Sequence, residues 1–296
     1  MKKKDWMKEV QAEVAMRLGN GYDVQIKEIR KNNGVVLTGL LIYDRTRNVT
    51  PTVYLEAFYE AYKQGKEMEE IVDGVLKLYS EHLPVEEVNM DFFLNFEAVK
   101  DRIVYKLIHA ERNADLLKEI PHICFLDLAI CFCYDFNNEQ MGDGMILIRN
   151  EQVSCWDTCT KELMQLAHEN TKVLFGLELL DLMELVREPE DQLANTFVLS
   201  NEKRCFGAAA MIYPGVLAEV AEKVEGNLLI LPSSVHEVIL MKESGTENLQ
   251  ELLCMVKEIN REWVLEEEIL SDQVYYYSRE KGNLGLAGER EEERLS

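Results

Sequence analysis

Ser233, Ser234, His236 and Glu237 stand within five residues, in the run Leu231-Pro232-Ser233-Ser234-Val235-His236-Glu237. A hydroxyl, an imidazole and a carboxylate are the parts of a nucleophilic hydrolase: the serine attacks, the histidine takes its proton, the acid orients the ring. The spacing limits that chemistry. In a strand beginning at Ser234, Ser234 and His236 share a face with Cα atoms about 6.6 Å apart. Side chains held parallel at that separation do not naturally close to the roughly 2.6–3.2 Å contact that activates a serine. Glu237 then points to the opposite face, whereas Ser233, in the turn, can bend back. The same residues also read as turn chemistry, with a hydroxyl satisfying a loop amide and His236 hydrogen-bonded at a strand edge. The hydrolase expectation is therefore Ser233 or Ser234 as nucleophile and His236 as base at the 232–237 turn.

Other constellations are weaker. His122, Cys124, Cys131 and Cys133 are ligand types for zinc, which needs four donors at one point. Were 122–134 one strand, its period of two would send His122 and Cys124 one way and the two cysteines at 131 and 133 the other. Cys155 and Cys159 can share a helix face, with no second Cys pair following. His168-Glu169 lacks the second histidine of a zinc-protease helix, since Lys172 holds that place. A calcium loop from Asp135 fails at Gln140, where glycine is needed, and at Ile146, where the bidentate acid belongs. No phosphate-binding glycine fingerprint occurs. The sequence thus implies no metal and no cofactor.

The elements that must carry these residues can be read from periodicity. Trp6, Met7, Val10, Val14 and Leu18 form one helical stripe, ended by Gly19. Tyr22, Val24 and Ile26 alternate toward Asn32-Asn33-Gly34, a hairpin turn, and Val35–Ile42 returns. Thr50-Pro51 predicts the start of a helix through Tyr62, and a second helix spans 67–81. Residues 102–109 alternate as a strand, and 123–136 read as one strand buried on both faces. Helices are expected at 158–172 and 177–186, and a strand at 206–213. A helix follows Pro214, then a hairpin turns about Pro232-Ser233-Ser234. Thr246 is expected to cap a helix with Leu249, Leu252, Leu253, Val256 and Ile259 inward, and 274–277 is a last strand. Without regular βαβ alternation, the expectation is an α+β fold, a mixed or antiparallel sheet with packed helices, in two modules. They are 1–100, helix–hairpin–helix–helix, and 101–278, a mixed-sheet module. Residues 279–296, rich in Gly, Glu and Arg, are expected to be a disordered charged tail.

Three segments together carry a resemblance. They are Asn48-Val49-Thr50-Pro51-Thr52-Val53-Tyr54-Leu55, the Leu231–Leu240 run around Ser233-Ser234 and His236, and Leu270-Ser271-Asp272-Gln273-Val274-Tyr275-Tyr276-Tyr277. In their order over roughly 1–287 the chain resembles an uncharacterised bacterial family catalogued only as a domain of unknown function (number 5688). The Leu-Pro-Ser-Ser-Val-His-Glu segment is also similar to a second uncharacterised bacterial group. The resemblance implies a cytoplasmic α+β protein and transfers no catalytic residue.

Charge narrows the partners. The 296 residues hold 54 acidic and 32 basic side chains, a formal −22. Residues 1–50 alone are basic, with 10 Lys/Arg against 6 Asp/Glu. An excess this acidic repels phosphate, which argues against nucleic acid and anionic membrane as partners. Lys2-Lys3-Lys4 is not followed by the apolar stretch of a signal peptide, no run of about 18 apolar residues occurs, and the seven cysteines are odd in number. Reduced thiols in a cytoplasm are the simplest expectation. The leading expectation for function is a non-catalytic interaction or regulatory protein binding another protein or a second copy of itself. The alternative is the hydrolase at 232–237.

Overall fold

The computed structural model describes residues 1–83, 91–138, 142–185 and 195–289. It is an α+β fold whose strands form three sheets, with antiparallel pairing throughout the registers described. The chain divides into two compact units: residues 1–90 with 137–144, and residues 91–136 with 145–296.

In the first unit, helix α1 (Lys3–Leu18) precedes the hairpin of β1 (Tyr22–Arg30) and β2 (Val36–Asp44). Asn33 and Gly34 both take positive φ at its turn, as the Asn-Asn-Gly signal predicts. Residues 52–54 correct one expectation. Thr52–Tyr54 forms a third strand, β3, beside β2, and the helix α2 starts only at Glu56 and runs to Lys63. The Thr50 hydroxyl donates to the Ile42 carbonyl instead of capping a helix, because β-branched Thr52 and Val53 gain more by pairing than by coiling. Helix α3 (Met68–Glu81) closes the unit. Trp6, Val10 and Val14 of α1 pack with Leu40, Ile42 and Val53 of the sheet and Ile71, Val72 and Val75 of α3.

The second unit begins with α4 (Phe96–Val99) and β4 (Ile103–His109), then α5 (Ala114–Leu117). The expected single strand of 123–136 is a hairpin: β5 (His122–Phe125) and β6 (Leu128–Asn138) fold back about Leu126, whose φ is 55°. β6 pairs β4 on one side and β5 and β7 (Gly142–Leu147) on the other. After α6 (Asn150–Cys155), helix α7 (Thr160–Phe175) covers the open edge of β4. There the Thr171 hydroxyl accepts from the Tyr105 amide and Asn170 donates to the Ile103 carbonyl, satisfying an edge that would otherwise pair with another chain.

The second sheet of this unit has the order β13-β12-β10-β11-β9-β8. Its strands are β8 (Glu178–Asp181), β9 (Thr196–Ser200), β10 (Leu228–Pro232), β11 (Val238–Lys242), β12 (Tyr275–Ser278) and β13 (Asn283–Leu286). β8 stands where a helix is expected over 177–186, because Gly176, with φ 68°, ends α7 and frees the next residues to pair with β9. Helix α8 (Leu182–Leu185) follows it. Residues 207–212, expected as a strand, are a 3-10 turn: alanines have little β preference, and Gly207 sits where a Cβ would meet the Ser200 hydroxyl at 2.2 Å. Helix α9 (Val216–Lys223) follows, and α10 (Leu249–Glu262) packs Leu249 and Val256 on Leu229, Leu231 and Val274. Its cap is Asn248, not Thr246. Residues 279–289, expected to belong to a disordered tail, are structured. Asn283–Leu286 pairs with β12, since backbone pairing needs no apolar sequence, and residues 290–296 lie outside the described residues.

Candidate functional site

The turn between β10 and β11 holds the four residues that suggest a hydrolase. The amides of Ser233 and Ser234 both donate to the Glu237 carbonyl, at 3.3 and 3.2 Å. The Ser234 hydroxyl accepts from the His236 amide at 3.0 Å, and the Ser233 hydroxyl lies 3.5 Å from the Glu237 carboxylate. These are turn contacts. Residues 233–237 are not strand, so the shared face assumed for Ser234 and His236 does not exist.

The imidazole of His236 is engaged elsewhere. Its Nδ1 accepts from the Phe206 amide at 3.2 Å, and its Nε2 faces Glu268 at 3.6 Å. A ring nitrogen that accepts a backbone N–H carries its lone pair there, so the proton of the neutral ring is on Nε2. The acidic partner thus comes from Glu268 rather than Glu237. Neither serine hydroxyl bonds the ring, and the ring has no free nitrogen with which to deprotonate one.

The ring instead braces a strained loop. Arg204 and Phe206 adopt left-handed φ of 49° and 51°, rare for such side chains. Fully buried Asn201 holds the loop from within, donating to the Cys205 carbonyl and accepting from the Cys205 amide. Outside, Arg204 makes a two-pronged pair with Glu178 at 2.8 Å on both arms, and the Phe206 ring packs against His236 and takes the Lys106 ammonium 4.1 Å from its centre. Lys203 and Arg102 converge on the buried Asp135 carboxylate at 3.0 and 2.6 Å. That carboxylate is consumed by two cations, a poor start for a calcium ligand.

The β5–β6 hairpin changes the metal geometry. His122 opposes Cys131 directly in register, so the residues expected on opposite faces share one. Cys131 and Cys133 are nevertheless buried in apolar packing, and Cys124 is exposed. Cys155 ends α6 while Cys159 precedes α7, on no common helix face. Among the described residues no three histidine, cysteine or acidic side chains converge as a metal site.

Two further groupings are invisible to the motif reading. The first is a polar network. Asp127, in the β5–β6 turn, accepts from the Ser271 hydroxyl at 2.5 Å and from the Tyr275 hydroxyl at 2.8 Å. Asn260 of α10 donates to the Ser271 carbonyl and to Asp272, and Arg112 pairs with Asp272 at 2.8 Å. Its members come from one sheet's hairpin tip, the other sheet's β12 and a helix, which is the pattern of a structural tie.

The second grouping is apolar, with half-buried Ile259 set among side chains open to solvent. Met255, Ile259 and Trp263 recur at four-residue spacing along and just past α10, with Leu265 beyond. Trp263 is 82% exposed, Leu265 62% and Met255 42%. Beside this row runs another of carboxylates, Glu251, Glu258 and Glu262, all exposed. Tyr59 and Tyr62, by contrast, pack against Trp6 with ring centres 5.1 and 5.8 Å away, and Tyr275 is fully buried. The sequence signal for the open row was a tryptophan set in an acidic run, just past the end of its helix.

A family model described as "Family of unknown function (DUF5688)" matches residues 3–279. No curated protein and no solved structure matches the chain.

Proposed function

We propose that this chain, which belongs to the family of unknown function DUF5688, is a non-catalytic interaction protein that holds another protein on the solvent face of α10 and the residues just after it. The observation that carries this reading is Trp263, a tryptophan 82% exposed, one turn past half-buried Ile259 and two residues before exposed Leu265, with exposed Met255 two turns earlier. Burying a large apolar side chain is worth about 1.5–3 kcal/mol, and tryptophan is enriched among the residues that dominate interfaces. The occupied imidazole of His236 supports the non-catalytic half, because the four residues that suggest a hydrolase are used in holding a turn and a loop. The −22 charge favours a protein partner over nucleic acid or anionic lipid, and no helix among the described residues is long and apolar enough to cross a membrane. All seven cysteines are free, which accords with a reducing cytoplasm.

Photo-crosslinking tests the proposal. Benzoylphenylalanine in place of Trp263, in the cells that make the protein, gives discrete adducts that the same probe at exposed Val173 of α7 does not. Identical adducts at both positions, or none at 263, would refute it.

A further inference from the structure

We infer that the occupant of the α10 face is a basic amphipathic helix of another protein, an inference that rests on the interaction reading above and names its partner class. The face offers two parallel rows. Met255, Ile259 and Trp263 are one helical turn apart, the spacing that receives side chains at i, i+3, i+4 and i+7 of a docked helix. Glu251, Glu258 and Glu262, separated by seven and then four residues, line its flank. The charge is one-sided: residues 247–268 contain seven Glu and two basic residues, Lys257 and Arg261. Arg261 is itself paired with Glu262 at 2.9 Å.

An apolar strip beside a carboxylate row complements a helix with apolar residues on one face and Lys or Arg along its border. An acidic or phosphorylated segment would bring like charges together, and an anionic membrane is repelled for the same reason. The polar network stiffens the receiving surface: Asn260, only 4% exposed, is fixed to Ser271 and Asp272 one turn before Trp263. Rigid presentation lowers the ordering cost of docking.

The chain carries its own reporter. Trp6 is fully buried and Trp156 7% exposed, so Trp263 is the tryptophan that a neutral quencher such as acrylamide reaches. The probe is a synthetic 18-residue peptide with Leu at helical spacing and Lys elsewhere, lacking tryptophan; its control carries Glu for Lys. The full-length protein should bind the Lys peptide saturably, with Trp263 emission shifting to the blue and quenching falling. Glu258→Lys together with Glu262→Lys should weaken that binding by about tenfold or more, and added salt should weaken it further. Glu69→Lys with Glu70→Lys, on α3, should leave it unchanged. Equal binding of the Glu peptide, or indifference to the reversals at 258 and 262, overturns the inference. So does protection of Trp263 by concentration alone with a dimer in sedimentation, although that outcome keeps the interaction reading and makes the partner a second copy. The crosslinking result at 263, by contrast, decides the interaction reading itself.

Discussion

At His236 one hydrogen bond decides the chemistry of its neighbourhood. With Nδ1 accepting from the Phe206 amide and Nε2 turned to Glu268, the imidazole is a fixed brace rather than a base. Ser233 and Ser234 should therefore stay unlabelled by a fluorophosphonate probe at neutral pH. Ser234→Ala should cost about 0.5–1.5 kcal/mol in urea unfolding through its lost turn contact. Labelling abolished by Ser233→Ala or Ser234→Ala would show an activated serine. The cysteines divide in the same residue-level way. Burial pushes the Cys131 thiol up to about 12 and raises Cys133 as well, so neither offers thiolate at ordinary pH. A short iodoacetamide pulse at pH 8 should modify exposed Cys124, Cys155, Cys159 and Cys254 and spare 131 and 133. Rapid labelling of Cys131 in the folded protein would contradict that burial. Which residues stand together was legible here, but how they are used was not. Sequence proximity of Ser, His and Glu says nothing of Phe206, thirty residues earlier, whose amide takes the lone pair that catalysis would need.

Among the elements, the β5–β6 hairpin shows where reading stopped and why. A nearly unbroken apolar run from 123 to 136 has no glycine or proline to mark a turn, and Leu126 takes the left-handed conformation unaided by sequence. The turn is held from outside, by Ser271 and Tyr275 bonding Asp127. Asp127→Ala would leave the buried Ser271 and Tyr275 hydroxyls with no acceptor for their protons, a loss of roughly 2–4 kcal/mol. Chemical denaturation measures it, and an unchanged midpoint would show that the network is dispensable. His109, at the end of β4 beside this network, has its pKa lowered from the ordinary 6.5, first by burial. Its unfolded form binds a proton more readily than its folded form, so stability is full above pH 6.5 and declines as pH falls below that value. His109→Gln should flatten the decline below pH 6.5; an unaltered slope would assign it to other groups. Local signals succeeded where local forces rule, as in α1, α3 and the Asn33-Gly34 turn. They failed at Thr50-Pro51, at β8 and at β13, where pairing with the neighbouring strand overrides propensity.

For the molecule as a whole, the α+β class was readable from the irregular alternation of periods, and membership of the family from three segments in order. The acidity has a structural address in part. Carboxylates along α10 border its exposed apolar row, so a charge that merely excludes polyanions at the level of composition becomes selective at one face. That face could not be read from sequence, because an amphipathic helix shows which residues are apolar but not which of them the rest of the fold fails to cover. The most direct measurement of whether it is covered by a partner is hydroxyl-radical footprinting of the protein inside the cells that make it, compared with the purified chain. Oxidation of Trp263 should fall several-fold in the cell, while exposed Met16 of α1 reacts equally in both. Trp263 oxidised to the same extent in both settings would contradict an interaction role for this surface.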